Sequence, residues 1–101
     1  LHFYTILVYR RSMQFEFDPA KSALNKQKHG IDFVEAQVLW KDLRRTEFDA
    51  RQLPEARSGL VGEYGGKLWT AIFTMRGEVV RIISVRRSRS VEVKLYEAQD
   101  D

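Results

Sequence analysis

Polar and apolar residues alternate from Gln14 to Phe17, and the run stops at Asp18-Pro19. This pattern predicts a short strand leading into a helix, with Asp18 accepting a backbone N–H as N-cap and Pro19 at the first helical position. The helix is expected to reach about His29, since Gly30 can take the left-handed conformation that ends it. A second helix is expected from Asp32. There Asp32 and Glu35 form a capping-box-like pair, and Phe33, Ala36, Leu39 and Trp40 repeat at intervals of three to four residues.

From Arg44 the apolar period shifts toward two. Strands are predicted at about 44–49, 59–64, 67–75 and 78–86, with turns at Gly65-Gly66 and Arg76-Gly77. The polar stretch Ala50 to Ser58 is the one substantial loop, and Ser88 or Ser90 can cap a last helix running to about Ala98. The fold class expected is α+β: two N-terminal helices packed on a four-stranded antiparallel sheet, with a C-terminal helix. Such a sheet has one face covered by helices and one face free for function. In strand 78–86, strict alternation puts Val79, Arg81, Ile83 and Val85 on one side and Val80, Ile82, Ser84 and Arg86 on the other.

Composition narrows the classes. A chain of 101 residues supports one core, so a multidomain enzyme is excluded. The absence of cysteine excludes a disulfide framework, a zinc ribbon, a Cys-ligated cluster and a thiol nucleophile, and it suits a reducing cytoplasm. With two histidines and no carboxylates at ligand spacing, neither a metal nor any other cofactor is expected. The apolar stretch Leu1 to Tyr9 is less than half the length of a membrane span, and it lacks the basic leader and cleavage site of a signal peptide. Residues 1–12 read either as an extension upstream of a natural start at Met13 or as an extra edge strand. The working domain is then 13–101. Setting Arg10 and Arg11 aside leaves 15 basic against 14 acidic residues, so overall charge says little about a polyanionic partner.

Charge placement says more. Arg86, Arg87 and Arg89 fall within four residues, Lys21, Lys26 and Lys28 share the first helix, and Arg outnumbers Lys by 11 to 6. A guanidinium can bond two phosphate oxygens at once, which makes this excess suited to phosphate recognition. Arg81 interrupts an apolar row in a central strand, where a charge is costly unless paired or facing a polar cleft. It reads either as a phosphate contact or as half of a structural ion pair with Glu63 or Glu92. Lys28-His29-Gly30 offers an imidazole for proton transfer beside a cation, or equally a helix cap. Glu63 is a second candidate base near a strand end. The glycines at 59, 62, 65 and 66 lie among antiparallel strands, not between a strand and a helix, so no nucleotide-cofactor loop is predicted.

The run Phe17-Asp18-Pro19, Lys21, Asn25, Lys28-His29-Gly30, Asp32-Phe33, Ala36 resembles the N-terminal signature of the BrnT family of type II toxins. Arg57 with Gly62, Arg81-Ile82-Ile83-Ser84 with Arg86, then Glu92 and Tyr96, resemble its second half, so that the likeness spans Met13 to Tyr96. The resemblance implies a RelE-like fold and an endoribonuclease that halts translation until a BrnA antitoxin binds it. That antitoxin is implied to carry a ribbon-helix-helix domain, so operator DNA is contacted only through it. Lys28, His29, Arg57, Arg81 and Arg86 match the polar positions implied to form the cleavage site. Tyr96 matches a motif position whose role could be packing, and the doubled Arg86-Arg87 departs from the pattern. RNA carries its own nucleophile, the 2′-hydroxyl, so a metal-free enzyme needs a base, an acid and cations for the charge that grows on phosphorus. Here His29 would be base or acid, with Glu63 or Lys28 as counterpart. The competing reading is a non-catalytic nucleic-acid-binding or regulatory module, kept for partner binding, that uses the same arginines on phosphate.

Overall fold

The computed structural model describes residues 13–100. What was expected of residues 1–12 lies outside them. The chain runs β1 (Gln14–Glu16), α1 (Pro19–His29), a 3-10 helix (Glu35–Lys41), β2 (Thr46–Arg51), β3 (Arg57–Tyr64), β4 (Lys67–Arg76), β5 (Val79–Arg87) and α2 (Ser90–Glu97), closing with a 3-10 turn, Ala98–Asp100.

The α+β class holds, but the expected sheet does not. Instead of four antiparallel strands there are five in a mixed sheet, ordered β1-β5-β4-β3-β2. The short strand at the start of the domain pairs in parallel with β5, matching Gln14 to Val79 and Glu16 to Arg81. A parallel pair between the two ends of the chain needs a long connection and leaves no local turn signal, which is why alternation revealed the strand but not its place.

The second α-helix is also corrected. The Asp32–Glu35 capping box forms, with Glu35 N–H donating to Asp32 Oδ1 at 2.7 Å and Asp32 N–H to Glu35 Oε1 at 3.0 Å. The following segment nevertheless winds as a 3-10 helix. Phe33, Ala36 and Leu39, all buried, recur every third residue, and that is the interval at which a 3-10 helix aligns its side chains. This helix lies flat on β3 at Gly62, where a Cβ would come within 2.9 Å of the Leu39 carbonyl oxygen.

α1 and the 3-10 helix cover one face of the sheet. Register neighbours Leu60, Ala71 and Val85, with Phe73 and Ile82, pack there against Ile31, Phe33 and Trp40. Trp40 meets Phe15 and Phe73 edge-on, with centroids 5.1 and 5.2 Å apart. α1 is fastened to the sheet by Asn25. Past the end of β1, its carboxamide receives the Val85 N–H at 3.2 Å and donates to the Val85 and Ile31 carbonyls at 2.9 and 2.8 Å.

Strict alternation also fails in β5. Ile72 pairs with Ser84 but Phe73 with Ile82, leaving Ile83 as a bulge without a β4 partner. Beyond the bulge the faces exchange. Val85 therefore joins Val80 and Ile82 in the core, and Arg86 comes to the same face as Arg81. α2 covers part of that second face, over Val61 and Thr70, which are fully buried. Its N-cap is Arg89, not Ser88 or Ser90. The Arg89 N–H is bound by Glu92 Oε1 at 2.7 Å, while the Ser88 hydroxyl bonds Thr70 at 2.8 Å.

Candidate active site

Three concavities that share lining residues run as a trough from the uncovered part of the second face round the outer edge of β5 to α1. The first, about 200 Å³, is lined by Arg57, Arg76 and Arg81 with Lys21, Asp18 and Glu55. Arg57 also lines the second, about 310 Å³, beside Arg51, Arg86 and Arg89. Lys21 and Ile83 continue the first into the third, a groove of about 560 Å³ between α1 and β5 that holds Lys28 and His29. The bulge at Ile83 makes this trough possible. Without it, Arg81 and Arg86, five residues apart, would face opposite sides of the sheet.

Arg81, Arg86 and Arg57 differ in what holds them. Arg81 and Glu16 are register neighbours on β5 and β1, and Arg81 Nη1 donates to Glu16 Oε2 at 2.7 Å with both side chains about a third exposed or more. Neither Glu63 nor Glu92 is its partner. Arg86 is bound in a fork by the buried Glu92 carboxylate, Nη1 to Oε1 at 2.7 Å and Nη2 to Oε2 at 2.8 Å. Glu92 also receives the Thr70 hydroxyl at 2.9 Å and the Arg89 N–H. The Arg86 guanidinium, with those further donors, holds the Glu92 carboxyl down at about 2 against the cost of its burial. Arg57 stands between these two pairs, its side chain without a hydrogen bond or ion pair among the described residues and its Nε buried without a partner. A buried cationic N–H left in this state is costly, and an anion entering the trough would satisfy it.

Residues 17–92 match the family described as the ribonuclease toxin, BrnT, of type II toxin-antitoxin systems. The chain belongs to the BrnT family. A comparison with curated proteins finds no match. BrnT membership makes RNA the substrate and an antitoxin the partner. The matched span holds every trough cation named above as well as Glu92, whereas Glu16, which holds Arg81, precedes it.

Of the six site residues expected in this BrnT chain, five line the trough: Lys28, His29, Arg57, Arg81 and Arg86. Glu63 does not. It lies six residues along β3 from Arg57, roughly 20 Å at the rise of an extended strand, and its backbone N–H donates to Asp42 Oδ2 at 2.9 Å. A carboxylate there is out of proton-transfer range of a phosphate held at Arg57.

Sequence reasoning did not single out Arg51, Arg76 or Glu16, because only the strand order brings them to the trough. It also missed Asp42. That carboxylate joins the end of the 3-10 helix, β3 and α2 by accepting from Arg44 N–H, Glu63 N–H and, at 2.7 Å, the Tyr96 hydroxyl. Burial and this bond to Asp42 push the Tyr96 hydroxyl up to about 12, so Tyr96 ties α2 to the fold and stays outside the trough. A second network anchors α1. Glu35 accepts from Lys26 Nζ at 2.7 Å and from the Tyr64 hydroxyl at 3.1 Å, and Lys26 chiefly holds its carboxyl at about 2. Among the described residues no group of three or more His, Asp or Glu has metal-ligating geometry, and no helix is long and apolar enough to cross a membrane.

Proposed function

We propose that this BrnT-family protein is an endoribonuclease that cleaves RNA through its 2′-hydroxyl without a metal ion, halts translation in the cytoplasm, and is neutralised by a BrnA-type ribbon-helix-helix antitoxin that alone contacts operator DNA. The observation that carries the catalytic reading is Arg57, an unpaired cation between two carboxylate-held arginines, in a trough continuous with His29. A phosphodiester seated on Arg57 is flanked by Arg81 and Arg86. These cations stabilise the extra negative charge as phosphorus becomes five-coordinate. The 2′-hydroxyl gives up its proton, its oxygen bonds to phosphorus, and the bond from phosphorus to O5′ breaks. O5′ leaves with a proton, so the products carry a 2′,3′-cyclic phosphate and a 5′-hydroxyl. His29 and Lys28, at the C-terminal end of α1, serve the two proton transfers.

The test is incubation of the purified protein with mixed RNA in EDTA, with an Arg81→Ala control. Strands ending in 2′,3′-cyclic phosphate, absent from the control, are expected. RNA left uncut, both free and in a translating ribosome extract, overturns the catalytic reading. If such RNA is still bound in a salt-sensitive way, the protein is a binding module using the same arginines.

A further inference from the structure

β5 has a gap in its outer edge. β1 stops at Glu16 opposite Arg81, and the next support on that side is the Asn25 carboxamide at Val85. Ile83 falls between them, and the bulge deprives it of a β4 partner as well. One stretch of strand backbone thus has no register neighbour on either side. It lies where the α1–β5 groove opens into the arginine cavity, since Ile83 lines both.

The groove itself has the chemistry of a nucleobase seat. Leu24 and Ile83 supply apolar surface, and Leu24 is 62% exposed. Ser84 and Gln27 supply short-range polar groups, and Lys21 supplies charge. A base needs this combination, because its faces are apolar and its edges carry donors and acceptors. Single-stranded RNA is read in this way, by bases splayed onto a surface and bonded along their edges. At about 560 Å³ the groove is within the range of small-molecule pockets. It shares the wall residues Lys21 and Ile83 with the cavity of Arg81 and Arg57, so the phosphate of a nucleotide seated in it would lie beside them.

We propose that the groove between α1 and β5 seats the nucleobase adjoining the scissile phosphate and thereby selects the RNA sequence that is cut. The inference rests on the ribonuclease reading above and adds to it the site of base selection. Leu24→Trp, which fills the groove from an exposed helix position, and Ser84→Ala, which removes one hydroxyl, are the perturbations.

The experiment measures kcat/KM on four single-stranded RNA oligonucleotides that differ only in the base beside the cut. Binding of the four 2′-O-methyl versions is measured in parallel by fluorescence anisotropy. The wild-type protein is expected to prefer one base in both assays. Ser84→Ala should change that preference by about fivefold, the scale of one lost hydrogen bond, and Leu24→Trp should shift it toward the smaller pyrimidines. Thermal midpoints near wild type would show that both variants are folded. If both variants rescale all four substrates equally, the base seat is overturned while the ribonuclease reading stands. If no strand is cut, either free or in a translating ribosome extract, the ribonuclease reading falls, and base-independent binding of the methylated set overturns the base seat separately.

Discussion

Replacing Glu92 with Gln keeps the shape of the side chain and removes its charge. Glu92 is 5% exposed, and its carboxylate is bound by two Arg86 N–H groups, the Thr70 hydroxyl and the Arg89 N–H. Its folded-state value of about 2, against an ordinary 4.5, corresponds to about 3 kcal/mol of preference for the charged form. Breaking one partner of a buried pair costs 3–5 kcal/mol on the same scale, because the other charge is left buried alone. The variant is therefore expected to lose about 3 kcal/mol at pH 7, or roughly 12 to 24 °C in thermal midpoint for a domain of this size. The pH dependence is sharper still. A carboxyl held down in the folded state contributes fully above its unfolded value of 4.5 and loses that contribution as pH falls toward 2. The gap between wild type and Glu92→Gln should thus stay constant from pH 7 to about 5 and shrink to less than half by about pH 3. Urea unfolding followed by fluorescence of the buried Trp40 and Trp69 measures it. A gap below about 1 kcal/mol at pH 7, or one that does not change with pH, would refute the assigned role.

Three further outcomes follow from the same contacts. Asn25→Ala strips three hydrogen bonds from the Val85 and Ile31 backbone and should cost about 2–4 kcal/mol in urea unfolding; a loss under 1 kcal/mol would mean that water replaces the carboxamide. Gly62→Ala drives a methyl group against the Leu39 carbonyl oxygen and should destabilise by about 1–3 kcal/mol, whereas an unchanged melting curve would show that the 3-10 helix can lift off β3. Arg81→Ala breaks an ion pair that is substantially exposed, so its stability should fall by no more than about 1 kcal/mol while toxicity on expression disappears. A folded variant that stays fully toxic removes Arg81 from the site.

The sequence showed those parts of the molecule that are encoded locally. The Asp18 cap, the Gly30 stop and the Asp32–Glu35 capping box each involve residues within a few positions of one another, and all three form. Arg81 stood out because a charge in an apolar strand has to be met by something, but its partner Glu16 is 65 residues away and no spacing rule reaches it. The bulge at Ile83 was equally hidden. The side chains of β5 alternate with a period of two until one unpaired residue exchanges the faces, and only pairing with β4 reveals where that happens. That single residue brings Arg86 to the side of Arg81. Glu63 failed in the opposite way: a carboxylate near a strand end looks available for chemistry, but the strand carries it to the end of β3 far from the cations.

The kcat/KM for RNA cleavage by Arg57→Ala, compared with wild type, reports directly on whether Arg57 holds the scissile phosphate. Because Arg57 has no partner within the described fold, its removal should leave the melting curve nearly unchanged and lower kcat/KM by about 100-fold or more, the scale of one lost charge-stabilising donor. A folded Arg57→Ala protein that cleaves RNA within about threefold of wild type would show that Arg57 does not hold the scissile phosphate.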